Sequence, residues 1–256
     1  MATMLKVLPG KPTTLGAPQA QTQPQQPEPA QARAHGPAQE QAQTPAPGPA
    51  QKQPETQTRG PAQETETAVK HIDIYELANT DLSQVSGISI SGACDQIELT
   101  KQRQLLSAWV RGGGRLLLNG HPRRVYVDEL PQIRKLDFHG AADVWLSEVE
   151  AHPIWEGVRR QELLYRTGVP GKHSFAELEK IGVAGFYGHA YLGDLPEQAV
   201  IITGIGPYRL PVDIAYRLGA GEVVVHAGND LDSFTEMGPS TYKLRTNIEN
   251  YLLGRN

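Results

Sequence analysis

The chain has 256 residues, of which 39% are hydrophobic and 20% charged, with a formal net charge of −4. A mildly acidic chain lacks the long-range positive field that attracts nucleic acid or an anionic membrane, so neither is expected as a partner. The single cysteine, Cys94, excludes an internal disulfide and a cysteine-rich zinc module. The N-terminal residues lack the apolar run of a signal peptide, and no stretch approaches the roughly 18 apolar residues of a membrane span. A cytoplasmic location is the expectation.

The first quarter of the chain differs in composition from the rest. Twelve of the 20 prolines lie in residues 1–61, whereas every Phe, Trp and Tyr follows His71. Between Gly10 and Thr67 the only large apolar residue is Leu15. Such a segment cannot bury enough surface to offset its ordering entropy, so residues 11–67 are predicted to be disordered. Residues 68–256 are then the foldable domain, with a length that suits a single core.

A 12-residue repeat lies within this Pro/Gln/Ala-rich segment. GPAQE at residues 36–40 recurs as GPAQK at 48–52 and as GPAQE at 60–64. One interpretation is a solvated spacer with partly polyproline II character. The other is a docking segment for a protein partner, although a segment without aromatic residues offers few anchors.

The six residues before the segment carry a separate signal. Residues 4–9, MLKVLP, are typical of a short buried strand followed by a turn at Gly10. A strand at this place would make residues 11–67 an insertion after the first strand of the fold. The alternative is that residues 1–67 are one disordered tail.

The following residues predict a strand–helix–strand unit. Strands are predicted at residues 71–77 and 87–91, and a helix runs from an N-cap at Asp95 to Arg111, with Glu98 completing a capping box. Residues 115–119, RLLLN, are a continuous apolar strand of the kind that is covered on both faces. Strand, helix and strand at this spacing form a parallel βαβ unit.

The second half of the chain predicts further strands and one helix. The predicted elements are a strand at 143–150, a helical turn at 175–180, strands at 199–203, 212–216 and 222–226, and a final helix from an N-cap at Ser240 to Leu253. A turn at residues 219–221 joins the last two strands. The alternation predicts an α/β open sheet with some antiparallel strands toward the C-terminus.

Three strand ends carry the candidate functional residues, because ligands of open parallel sheets bind beyond the carboxyl ends of the strands. The first end, at residues 91–95, leads into a helix N-terminus whose N–H groups favour an anion. The other two are residues 119–124 and 226–230. A small polar molecule is the expected ligand. The candidate ligand-binding residues are Gly92, Asp95, Asn119, Gly120, Arg123, His189, His226, Asn229 and Asp230.

Two residues are candidates for catalysis. A helix N-terminus lowers the pKa of a thiol, which would activate Cys94; the alternative is a small residue packed beside the sheet. His121 follows the most buried strand, where it would act as a general base or ligand contact; the alternative is a turn histidine bonded to the backbone. His226 and Asp230 would share a ligand, or Asn229 and Asp230 would only shape a turn.

No metal or cofactor is predicted. The chain has no His-x-x-x-His or Cys-x-x-Cys pair, so a metal site would require histidines brought together by the fold.

Three segments resemble the class I glutamine amidotransferase-like superfamily, in its trehalose-utilisation-like (ThuA-like) branch. They are residues 87–92 (GISISG), 109–121 (WVRGGGRLLLNGH) and 219–234 (GAGEVVVHAGNDLDSF), and the resemblance extends over residues 70–253 in the expected order. It implies a flavodoxin-like sheet with helices on both faces. It also implies an oxyanion-side loop after residues 87–92.

The chain departs from this family at the catalytic positions. The resemblance implies a nucleophilic cysteine at the turn after the central strand, where this chain has Asn119-Gly120-His121. The late His-x-Glu pair is also missing, because His226 is followed by Ala227 and Gly228. Acyl transfer requires a nucleophile paired with a base. The expectation is therefore an amidotransferase-like protein that binds a small polar ligand and is not a glutaminase. The alternative is a non-catalytic protein-interaction module with a disordered spacer arm.

Overall fold

The computed structural model describes residues 2–10, 68–137, 139, 141–163, 190–234 and 239–255. The strands are β1 (Thr3–Leu8), β2 (Ala68–Asp73), β3 (Val85–Ser91), β4 (Arg115–Asn119), β5 (Gln132–Lys135), β6 (Leu146–Glu148), β7 (Ala190–Gly193), β8 (Val200–Ile205), β9 (Leu210–Leu218) and β10 (Gly221–His226). The α-helices are α1 (Gln96–Lys101), α2 (Arg103–Arg111) and α3 (Lys243–Leu253).

Eight strands form one mixed sheet in the order β2-β1-β3-β4-β10-β9-β8-β6. The first five are parallel, and β9, β8 and β6 continue the sheet with antiparallel pairing. The parallel part has the 2-1-3-4-5 order of flavodoxin-like folds. This confirms the prediction of an α/β, mostly parallel sheet with antiparallel strands toward the C-terminus. β5 and β7 form a separate two-stranded antiparallel sheet.

The apolar runs of β4 and β10 are explained by cover on both faces of the sheet. Leu116 and Leu118 belong to the core cluster that contains the buried residues of α1 and α2, whereas Leu117 belongs to the cluster that contains those of α3. Val223, Val224 and Val225 alternate in the same way. Successive side chains of a strand point to opposite faces, so an uninterrupted apolar strand requires a hydrophobic layer on each side.

β1 occupies an interior position in the sheet, paired in parallel with β2 on one side and β3 on the other. Met4, Leu5 and Val7 are at most 1% exposed. Residues 11–67 thus follow a sheet strand and precede its neighbour along the chain. The disorder, repeat and partner docking predicted for that segment concern residues outside those described.

Local capping changes two of the predicted elements. The strand predicted at 71–77 ends at Asp73. The Asp73 side chain accepts a hydrogen bond from the Tyr75 N–H, and the Glu76 carboxylate accepts one from the Asp73 N–H. This capping box starts a 3₁₀ helix at Ile74–Asn79. The final helix begins at Lys243 rather than after Ser240. The Ser240 hydroxyl instead donates to Glu162 and accepts from the Arg159 N–H.

Other predicted elements are shorter or interrupted. The helix predicted up to Arg111 divides at Gln102, which has φ −90° and ψ 6°. In residues 143–150 only Leu146–Glu148 is a strand, and it follows a 3₁₀ turn at Ala141–Val144. The helical turn predicted at 175–180 lies outside the described residues. None of the described helices is long and apolar enough to cross a membrane.

The first prediction separates the Pro/Gln/Ala-rich segment from β1. Replacing residues 11–64 by a Gly/Ser linker of about ten residues, long enough to return from the end of β1 to the start of the parallel strand β2, should change the melting temperature by less than about 3 °C, because this composition buries little apolar surface. Removing residues 1–10 as well should destabilise the protein by roughly 5 kcal/mol, since three buried apolar side chains of β1 are lost. Thermal unfolding followed by circular dichroism makes the comparison. Equal melting temperatures of the two deletion proteins would contradict a structural role for β1.

Candidate functional site

The carboxyl ends of β3, β4 and β10 meet at one edge of the sheet and enclose a cavity. Ser91 pairs with Asn119, and Asn119 pairs with His226, so the loops after the three strands start side by side. The cavity has a volume of about 340 Å³. It is lined by Gly92, Ala93, Gln96, Gly120, His121, Arg123, Gly228, Asn229 and Asp230.

Asp230 connects the loop after β10 to the turn after β3. Its Oδ2 accepts from the Ser91 hydroxyl at 2.6 Å, and its Oδ1 accepts from the Gly92 N–H at 2.7 Å. Asn119 holds the same loop from the end of β4, because its Oδ1 accepts from the Leu231 N–H at 2.7 Å. The three loops are therefore fixed to one another by side-chain hydrogen bonds.

Gly92 and Gly120 let two of these loops approach at van der Waals contact. A Cβ on Gly120 would lie 2.2 Å from the Gly92 Cα, and a Cβ on Gly92 would lie 2.8 Å from the Gly120 Cα. Gly120 has φ +158°, at the border of the extended region. Glycine is thus required here mainly by the neighbouring backbone, and less by the conformation of the turn.

Gln96, in the first turn of α1, clamps the loop that carries His121. Its Nε2 donates to the His121 carbonyl oxygen at 2.8 Å. Its Oε1 accepts from the N–H groups of Arg123 and Arg124 at 2.8 and 3.1 Å. One side chain thereby satisfies three backbone groups and fixes the loop over the cavity.

His121 lines the cavity and has an unsatisfied ring nitrogen. Its Nδ1 is buried and makes no hydrogen bond to any residue that the structure describes. Burial, followed by the electrostatic effects of His226 and Arg123, lowers the pKa of His121 to about 4. The imidazole is therefore neutral at pH 7.

His226 is a structural residue of the loop rather than part of the lining. Its side chain is completely buried, with Nδ1 2.6 Å from Asp213 Oδ1 and Nε2 2.8 Å from the Asn229 carbonyl oxygen. Asp213 is its cross-strand partner on β9. The expectation that His226 and Asp230 share a ligand is therefore wrong for His226, because both of its ring nitrogens are engaged inside the protein.

Cys94 lies behind the cavity wall. The thiol is 5% exposed and donates to the Val7 carbonyl oxygen at 3.4 Å. Burial and the negative charge of Asp230 raise the pKa of Cys94 to about 12. The prediction of a lowered pKa at the helix N-terminus is wrong, because desolvation and a nearby carboxylate outweigh the helix end.

The other candidate residues differ in their position relative to the cavity. Asp95 caps α1 by accepting from the N–H groups of Ile97 and Glu98, as predicted, and does not line the cavity. Asn119 is 2% exposed and acts through its bond to the loop. His189 lies outside the described residues. Gly92, Gly120, Arg123, Asn229 and Asp230 line the cavity together with His121, so most of the candidates chosen by strand-end position meet at one place.

Two residues that hold the candidate site in place, Asp213 and Gln96, were missed by sequence reasoning. Asp213 could have been predicted, because a two-residue turn at residues 219 and 220 between antiparallel strands places it opposite His226. Gln96 had none, because a glutamine in a first helical turn is an ordinary surface residue. Within the described chain, no group of three His, Cys, Asp or Glu residues is arranged to hold a metal ion.

The second prediction tests the contact between the two loops. Gly120→Ala should destabilise the protein by at least about 2 kcal/mol, because the new methyl group meets the Gly92 backbone. Gly112→Ala is the matched control. Gly112 has φ −75°, and its nearest neighbour would lie 3.3 Å from the added Cβ. We expect it to cost less than about 1 kcal/mol in urea unfolding. Similar values for both variants would contradict the close approach.

The third prediction concerns the thiol. Cys94 should resist iodoacetamide and a glutamine-analogue electrophile at pH 8, because the thiol is buried and pH 8 lies far below its pKa of about 12. Mass spectrometry of the intact protein measures the adduct, and no other cysteine contributes to the signal. The same protein unfolded in guanidinium chloride is the control and should be labelled fully by iodoacetamide. Rapid labelling of the native protein would contradict the assigned burial.

Comparison with solved structures gives distant similarities. No family model and no curated protein matches the chain. Among solved structures, the cytoplasmic protein STM3548 from Salmonella typhimurium has 13% identity over 73% of this chain and 81% of its own, with a TM-score of 0.45. The cytoplasmic protein STM1381 from Salmonella typhimurium LT2 has 13% identity over 74% and 83%, with a TM-score of 0.41. The exo-β-1,4-mannosidase Op5Man5 from Opitutaceae bacterium strain TAV5 has 17% identity over 73% and 27%, with a TM-score of 0.36. At these TM-scores the similarities identify neither a family nor an activity.

Proposed function

We propose that this protein binds a small polar ligand in the cavity at the ends of β3, β4 and β10, without covalent catalysis. The observation that carries the proposal is His121, whose buried Nδ1 lacks a partner among the described residues in a cavity of about 340 Å³. Buried polar groups are almost always hydrogen-bonded, and an unsatisfied one beside a cavity is well placed to bind a ligand.

The charges around the cavity favour a neutral ligand with hydroxyl groups. Arg123 and Asp230 contribute one charge of each sign, and His121 is neutral at pH 7. The lining therefore offers both donors and acceptors without a large net field. A hydroxyl group donates and accepts, so a polyol or sugar satisfies such a mixed set better than an anion does.

The same residues argue for binding over catalysis. A general base works best when its pKa lies near the operating pH, and the pKa of His121 is lowered to about 4. Cys94 is buried as a thiol, and His226 is held by Asp213 and Asn229. No nucleophile paired with a base is found among the described residues that line the cavity.

The assignment to an amidotransferase-like protein of the trehalose-utilisation-like branch is part of this proposal. Its support is the flavodoxin-like strand order and a cavity over the turn after the central strand, β4. At that turn the chain has Gly120 and His121 in place of a nucleophile. His226 pairs with Asp213 of the adjacent strand, where a triad would supply a glutamate two residues after the histidine. The protein would be a non-glutaminase member that retains the ligand site.

The fourth prediction tests His121 as a ligand contact. His121→Ala should keep its free energy of unfolding within about 1 kcal/mol of the parent, because no hydrogen bond of Nδ1 is lost. A sugar or polyol that raises the melting temperature of the parent in a thermal-shift screen should have no effect on the variant.

His139→Ala is the matched control, since that histidine side chain is 90% exposed and does not line the cavity. It should keep the full ligand response. A His121→Ala variant that is strongly destabilised yet still responds to the ligand would show that His121 is a structural residue, and the proposed site would fall.

A further inference from the structure

A second cavity, larger than the first, lies beside the antiparallel part of the sheet. It has a volume of about 690 Å³ and begins at Glu148, the last residue of β6. Its wall continues through the 3₁₀ turn Pro153–Trp155 to Arg160 and Gln161. It shares no lining residue with the cavity at the ends of β3, β4 and β10. The proposed ligand-binding function therefore leaves this cavity unexplained.

Arg160 is a buried cation without a carboxylate partner in the described part of the chain. It is 3% exposed, and its Nε donates to Thr203 Oγ1 at 2.9 Å. Its Nη1 donates to the Val158 carbonyl oxygen at 3.2 Å, and the guanidinium lies 5.5 Å from the centre of the Trp155 ring. None of these partners is charged, so the guanidinium has no ion-pair partner among the described residues. A buried charge is expensive unless an opposite charge accompanies it.

His152 and Trp155 lie in the same wall, and each has an unsatisfied ring nitrogen. The Nδ1 of His152 accepts from the Ile154 N–H at 3.3 Å, which places the proton of the neutral imidazole on Nε2. Burial lowers the pKa of His152 to about 4, so this neutral form prevails at pH 7. His152 Nε2 and Trp155 Nε1 are both buried and have no acceptor among the described residues. The two rings are in edge contact, with centroids 5.6 Å apart.

We propose that this second cavity binds a small monocarboxylate with an apolar body. The carboxylate would accept from His152 Nε2 and Trp155 Nε1 and would compensate the charge of Arg160. Pro153 and Val158 also line the cavity and suit an apolar chain. Glu148 and Glu156 lie in the same wall and oppose a dianion such as phosphate. One negative charge is therefore favoured over two.

Isothermal titration calorimetry on the full-length protein tests the proposal with three probes. Hexanoate carries the carboxylate and the apolar chain, 1-hexanol carries the chain alone, and inorganic phosphate carries the charge alone. We expect saturable binding of hexanoate at pH 7, with 1-hexanol and phosphate at least about 10-fold weaker. Equal affinity for 1-hexanol, tighter binding of phosphate, or no binding of hexanoate would each overturn the proposal.

Conservative variants test the donors without disrupting the fold. Trp155→Phe keeps an aromatic ring and removes the Nε1–H group. His152→Asn keeps an acceptor for the Ile154 N–H and removes the Nε2–H group. Each should weaken hexanoate binding about 10-fold or more, since each deletes one hydrogen bond to a charged acceptor. Trp145→Phe is the matched control, because Trp145 is 36% exposed and lies outside the cavity.

The control protein should bind hexanoate as the parent does. Circular dichroism and the melting temperature identify any variant that fails to fold, and the remaining donor variant then decides the test. Unchanged hexanoate affinity in a folded Trp155→Phe or His152→Asn protein would show that the deleted donor is not used, and would overturn the proposed mode of binding.

Discussion

The backbone contact between Gly92 and Gly120 is the constraint on which the proposed ligand site depends. Because neither glycine carries a side chain, the backbones of the turns after β3 and β4 are in direct contact. Asp230 can then reach across and accept from Ser91 and Gly92. These hydrogen bonds hold the loop after β10 beside the two glycines, and the cavity lies next to them. The candidate site is thus built from backbone and polar side chains, and among the described residues that line it His121 is the one with a buried, unsatisfied nitrogen.

Buried polar groups in this protein fall into two kinds. His226 and Asn119 have their hydrogen bonds inside the protein and hold loops in place. His121, His152 and Trp155 have ring nitrogens without a partner in the described chain, and each lines a cavity. The difference matters because a satisfied polar group rigidifies its surroundings, whereas an unsatisfied donor or acceptor retains binding capacity. His226 is completely buried and has both ring nitrogens engaged, whereas His121 is half-buried and has one ring nitrogen without a partner among the described residues.

The sheet could be predicted from the sequence because its signals are local and redundant. The apolar strands β4 and β10, the glycines between α2 and β4, and the alternation of elements each indicate an open α/β sheet. The short strands β5 and β7 were missed because four residues carry too little periodicity. The candidate site was chosen by strand-end position, and several of its residues line one cavity, whereas the position of each side chain depended on burial. Cys94 and His226 stand at suitable places in the sequence, and only the packed structure shows that their side chains point into the protein.

The interior position of β1 has a consequence for how the chain folds and how its length can vary. β1 is separated along the chain from β2 by residues 9–67 and from β3 by residues 9–84. Its contacts therefore join distant parts of the sequence and raise the contact order, which slows folding. The entropy of closing a flexible connection grows only with the logarithm of its length. For a segment with the disorder that its composition predicts, one further 12-residue repeat would cost only ~0.2 kcal/mol. On that expectation the number of repeats can change with little effect on stability, while the six residues of β1 must be kept.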